Sequence, residues 1–169
     1  MGKLNRKGFT LVELLAVIVI LAIIIALVFP QVSNVLNSSK VSTIYSNSKE
    51  IVKWWELQMV SDKENSLIPD GMQNSLSEEW QCMGNVSATD GTKFYEMVNL
   101  SENDFVFVGD VPVDGKAVTN NTCSAVRYFP NSGLEVLLVA KEGGKNYTAG
   151  MVTYGFSTAT GGNMAPKSE

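Results

Sequence analysis

The chain has no histidine. That removes the commonest general base and the commonest transition-metal ligand, and it rules out a Ser-His-Asp or Cys-His catalytic set. It has only two cysteines, Cys82 and Cys123, so no cysteine cluster can build a zinc or iron–sulfur site. Its glycine-rich pieces, around Gly143-Gly144 and Gly161-Gly162, lack the phosphate-cradling loop pattern and sit among turn residues. Basic residues are outnumbered, 13 against 17 acidic, for a net charge of -4. A nucleic-acid partner held by bulk charge is therefore not expected, since phosphate binding wants clustered Lys and Arg. No cofactor, no metal and no enzymatic activity are expected. Asp110 and Asp114 flank a Val-Pro-Val turn and read as solvated turn carboxylates in preference to a calcium pair.

Charge is also missing from one long stretch. Between Gly8 and Lys40 the only ionisable side chain is Glu13. The run up to Phe29 is almost wholly apolar, and about 20 such residues in a helix cross a hydrocarbon core. Before it lie Lys3, Arg6 and Lys7, a positive flank that stays on the cytoplasmic side. The apolar run is too long for an ordinary secretory signal, and no Ala-x-Ala site follows it. On hydropathy alone, a plain N-terminal signal anchor explains the segment. It does not explain Glu13, because a carboxylate near the start of a lipid-embedded helix is costly.

Lys7-Gly8-Phe9-Thr10-Leu11-Val12-Glu13 resembles the processing site of type IV prepilins and pseudopilins. The resemblance continues through Pro30 and, as a helical pattern, to about Val60, roughly the first third of the chain. It implies a prepilin peptidase and methyltransferase that cuts between Gly8 and Phe9 and then N-methylates Phe9. It implies no enzyme activity of the chain itself, a homo-oligomeric filament, a membrane platform protein and an assembly ATPase. Membrane lipid would surround the helix before assembly. Loss of the leader takes Lys3, Arg6 and Lys7 away and moves the net charge from -4 to -7. By the same resemblance Glu13 is the assembly glutamate. Its carboxylate would meet the Phe9 amine of a neighbouring subunit, because opposite charges in a low-dielectric core attract strongly when paired and are costly apart.

The implied fold class is α+β, a long N-terminal helix packed on a small antiparallel sheet. Residues 1–8 form the leader, 9–30 the transmembrane and assembly half of the helix, and 31–60 its amphipathic half. Pro30 lacks an N–H and is expected to kink or open the helix there. Beyond it Val32, Val35, Leu36, Ile44, Tyr45, Ile51, Val52, Trp55 and Met59 recur at helical spacing. Of the adjacent Trp54 and Trp55, one is expected in the core and the other either on the helix flank or against a neighbouring subunit. Residues 61–92 read as a connection, and Ser61 to Asp90 within it, by the same resemblance, as a candidate variable surface. Within it Ser75-Leu76-Ser77-Glu78 is a possible capping box for a short helix. Residues 93–156 hold the sheet. Expected strands are 93–98 at an edge, 104–108, a hairpin of 125–129 and 134–140 joined by a four-residue connection, and a last strand within 147–156. Residues 157–169 read as a mobile tail.

Both cysteines fall in the exported part, where an even pair suggests one disulfide, the alternative being two buried free thiols. The resembled family often bounds a C-terminal loop with a disulfide, whereas here Cys82 precedes most of the sheet. The functional expectation is a structural subunit of a type IV pilus. The alternatives are a pseudopilin of a type II secretion or competence DNA-uptake system and, in another class, a monomeric membrane-anchored binding domain.

Overall fold

The computed structural model describes residues 10–61 and 66–158. The leader, with Gly8 and Phe9, and all but the first two residues of the expected tail lie outside that range. The elements in order are helix α1 (Leu11–Val60), helix α2 (Met72–Ser75), strand β1 (Gln81–Cys82), helix α3 (Phe94–Met97), and strands β2 (Ala125–Phe129), β3 (Gly133–Val139) and β4 (Tyr154–Thr158). The chain divides into two compact units, Met1–Ser38 and Ser39–Glu169.

The first unit contributes only helix. Its large apolar side chains from Leu11 to Leu36 are all exposed. The helix is long and apolar enough to cross a membrane. α1 runs through Pro30 as one element. The proline removes the donor that the Ala26 carbonyl would use. The Ser33 hydroxyl donates to the Phe29 carbonyl at 3.2 Å on the same turn.

In the second unit the same helix becomes one-sided. Ile44, Ser48, Ile51, Val52 and Trp55 are buried, a set spaced by three and four residues that makes one stripe. The stripe joins a core with Val126, Leu134, Val136 and Leu138 from the inner face of the sheet, and with Met72, Met83, Val86, Phe94, Phe105 and Phe107. The Trp55 ring lies 5.9 Å from Phe94 and 6.1 Å from Tyr128. Trp54 is half-buried and packs against the edge of the same core, so the two indoles divide as expected. At Gly155 of β4 the strand backbone comes against the helix: a Cβ there would sit 2.5 Å from Tyr45 N and 2.8 Å from the Ile44 carbonyl oxygen. Only glycine permits that approach. The fold is the α+β arrangement expected, an N-terminal helix packed by its later turns on a small antiparallel sheet, which matches pilin-like topology.

The sheet has the order β1-β2-β3-β4 and is antiparallel throughout. The central hairpin stands as read, with Val126 opposite Val136 and Phe129 opposite Gly133. Its connection is one residue shorter than expected, because Gly133 takes a positive φ and starts β3.

Five local expectations are corrected. Residues 93–98 are not an edge strand. Lys93 N–H donates to the Glu96 carboxylate at 2.8 Å, which starts α3, and Asn99 in the left-handed region (φ 56) ends it. Residues 104–108 are not a strand either. Phe105 makes a single bridge to Ala140, and Ser124 then takes the Val106 carbonyl, so the ladder does not extend. The short helix is Met72–Ser75, not one starting at Ser75, because Leu76 is already extended. The last strand begins only at Tyr154, after a tight turn bridging Thr148 and Met151, and it runs into Ser157 and Thr158, which pair with Val136 and Glu135. The pair Gln81–Cys82, expected in the irregular connection, is the first edge of the sheet.

Candidate assembly site and the strapped outer face

Glu13 lies in the first turn of α1. Its Oε2 accepts from the Thr10 backbone N–H at 2.8 Å and from the Thr10 hydroxyl at 2.9 Å, while Glu13 N–H donates to Thr10 Oγ1 at 3.3 Å. This is a reciprocal capping box, which satisfies donors that the helix start would otherwise leave open. Its pattern, Thr-x-x-Glu, is legible in the sequence, although the intermolecular role alone is expected there for Glu13. Among the described residues the carboxylate has its local Thr10 donors alone. Pro30, the other helix residue expected to serve assembly, is exposed and 17 residues further on, about 26 Å along the axis. The two are not brought together in one subunit. Gly8 and Phe9 lie outside the described residues.

The second unit carries its own specialised face. Cys82 and Cys123 form a disulfide, Cα–Cα 5.6 Å, with both residues buried. It joins the edge strand β1 to the end of the segment 106–123, which lies over the outer side of the sheet. There Val118 packs with Leu137 and Val139, and with Trp80, Val106, Val152, Tyr154 and Phe156 around them. Asp114 anchors this strap. Its carboxylate accepts from Trp80 Nε1 at 2.9 Å and from Arg127 at 2.7 Å. Arg127 also binds Glu135, its cross-strand partner, at 2.5 Å. The guanidinium stacks 4.4 Å from the Trp80 ring and 5.1 Å from Phe129.

The indole N–H of Trp80, and after it the Arg127 guanidinium, hold the Asp114 carboxyl below its usual range. Asp114 is therefore not the free turn aspartate expected from sequence. Asp110 engages the strap through its backbone, donating to the Asn121 carbonyl and accepting from Cys123 N–H. Among the described residues no group of three His, Cys, Asp or Glu side chains could hold a metal ion. The cluster Trp80–Asp114–Arg127–Glu135 escapes a sequence reading because its members span more than fifty positions. Only the Arg127–Glu135 pair follows from the hairpin register.

Compared with known protein families, residues 3–29 match the prokaryotic N-terminal methylation motif. This class III signal is typical of type IV pilins and pseudopilins. No curated protein and no solved structure matches the chain. The motif and the pilin-like fold together support a member of the type IV pilin and pseudopilin family, and the long apolar N-terminal helix is consistent with a membrane-anchored precursor.

Proposed function

We propose that the chain is the structural subunit of a type IV pilus. It is held in the cytoplasmic membrane by residues 9–30. A prepilin peptidase cuts it between Gly8 and Phe9 and methylates Phe9, and it then polymerises into a helical surface filament. The observation that carries this reading is the methylation motif at the mouth of a helix whose large apolar side chains, from Leu11 to Leu36, are exposed. Such a surface is stable only among lipids or among other copies of itself. Lipid is as apolar as the helix, so burial of apolar area alone does not favour leaving the membrane. Close helix packing and one polar contact must supply the difference. The Glu13 carboxylate meeting the Phe9 amine of the next subunit is that contact, and it sets the axial register. A platform protein and an assembly ATPase supply the work. The residue blocks 1–8, 9–30, 31–60, 61–92 and 93–156 follow as leader, assembly helix, packed helix, connection and sheet region.

The same motif serves pseudopilins, so a short secretion or competence filament is the second reading. The experiment is shearing of surface filaments followed by mass measurement of the N-terminus. The pilus reading expects extended filaments whose subunit starts at N-methyl-Phe9. A chain still carrying Met1 or Gly2 in assembled filaments contradicts the processing site. Correctly processed chain confined to short envelope structures favours the pseudopilin.

A further inference from the structure

We propose that the groove between α1 and the turn after α3 binds a neutral pyranose sugar. The cavity measures about 330 Å³ and is lined by Asn47, Glu50, Ile51 and Trp54 of α1 and by Val98, Asn99 and Leu100. That volume suits one or two sugar rings, at the small end of ligand pockets. Its floor is apolar: Ile51 belongs to the core, and Trp54, Val98 and Leu100 pack against it half-buried. The polar side chains among its lining residues are those of Asn47, Asn99, Glu50 and Trp54. Among the described residues none of these four side chains has a hydrogen-bond partner.

The arrangement is held by the fold on both sides. Residues 47, 50, 51 and 54 share one side of a helix whose neighbouring stripe is locked in the core. Asn99 is set by its left-handed conformation, and Leu100 N–H donates to the Tyr95 carbonyl at 2.8 Å, which pins the turn.

The chemistry selects the ligand class. A pyranose ring has an apolar C–H face that lies on an aromatic ring and a rim of hydroxyls that both donate and accept. The amides and the indole N–H match that rim, and Glu50 accepts only. A purely apolar ligand would strip water from four polar groups and replace none of their hydrogen bonds. An anionic sugar would be repelled by Glu50. The site lies wholly within the sheet-bearing unit, so the proposal stands apart from filament formation and can be measured on unpolymerised chain.

The test uses the full chain in a detergent without a sugar headgroup, labelled with ¹⁵N at its three tryptophans. Trp54→Phe assigns the Trp54 indole signal. Titration with methyl glucopyranoside, methyl mannopyranoside and N-acetylglucosamine is expected to shift that signal saturably with at least one of them. The midpoint should fall on the order of 1–10 mM, the range for a ligand of about a dozen heavy atoms. The signals of Trp55 and Trp80, one in the core and one bonded to Asp114, should stay still. Asn47→Ala and Asn99→Gly, the latter suited to the left-handed backbone, should each raise the midpoint at least about fivefold. No saturable shift with any of the three sugars overturns the proposal. So does an equal shift with glycerol, or unchanged midpoints in both variants. Loss of the Trp54 signal with rising protein concentration and no sugar would put a second copy in the groove and likewise overturn it.

Discussion

Residues 11–38 and 39–158 share a helix and differ in almost everything else. The first stretch exposes every large apolar side chain it has, while the second buries Ile44, Val52 and Trp55 almost completely against a sheet. The first has one charged side chain, and that one is turned back on its own helix start. The second ties its outer face together with a disulfide, a strap and a four-residue polar cluster. A segment whose stability is complete inside the chain is a folded unit. One whose apolar surface has no internal cover owes its stability to a solvent or to copies of itself. The family motif at residues 3–29 falls on the second kind.

The comparison breaks most severely if the folded unit is damaged and the helix start is not. Trp55→Ala removes a large side chain that is 1% exposed and should cost about 3–5 kcal/mol. Membrane insertion and leader removal should persist, because the anchor folds by its own backbone hydrogen bonds. Proteolysis of membrane fractions checks both halves at once: residues beyond the anchor should be degraded from a correctly processed chain. Gly155→Val should act in the same direction, since its side chain would meet the Ile44 and Tyr45 backbone. Degradation of the anchor along with the sheet would mean that the two regions do not fold separately.

A smaller effect is expected at the staple. The Cys82–Cys123 bond closes a sequence separation of 41, and its removal by a double Cys→Ser change should lower stability by about 3–4 kcal/mol on the chain-entropy estimate. Denaturant unfolding of the oxidised and double-mutant chains gives the difference. Equal midpoints would show that the outer-face strap holds without its covalent tie.

The smallest effect belongs to Asp114. Its carboxyl is held below its unfolded value, so the stability it adds is present above the unfolded pKa, about 3.9, and fades as pH falls through the lower folded value. The side chain is 68% exposed, which limits the contribution to about 1 kcal/mol or less. Asp114→Asn should remove that acid-side slope and leave the neutral-pH fold intact. An unchanged slope between the two proteins would mean that the Trp80 and Arg127 contacts are not maintained in solution.

What is legible from sequence follows local chemistry. The uncharged run with its lone Glu13, the helical recurrence of Ile44, Ile51, Val52 and Trp55, and the turn between Phe129 and Leu134 all carry their signal within a few residues. The misreadings fall where long-range contacts decide. Residues 93–98 have strand-like composition, but the Glu96 carboxylate and the left-handed Asn99 close a helical turn instead. Residues 104–108 have strand-like composition, yet Ser124 N–H takes the Val106 carbonyl and Gly84 N–H the Phe107 carbonyl, and the segment becomes the root of the strap. Asp114 looks like any turn carboxylate in the sequence because Trp80 and Arg127 come to it from distant positions. The capping role of Glu13 is the opposite case, since Thr10-x-x-Glu13 spells it out locally beside the more distant role.

The central claim is that residue 13 acts between chains and not for the stability of its own. Filament yield relative to membrane-held subunit, measured in shear fractions from cells making only Glu13→Val or only Glu13→Gln protein, tests it most directly. Both proteins should be processed at Gly8 and keep the sheet-bearing unit folded, since among the described residues the Glu13 side chain bonds only to Thr10. Both should yield far fewer filaments than the parent, with Val at least as severe as Gln, because the Phe9 amine is then buried without its counter-charge. A normal filament yield from processed Glu13→Val protein would contradict the account and leave Glu13 as a helix cap alone.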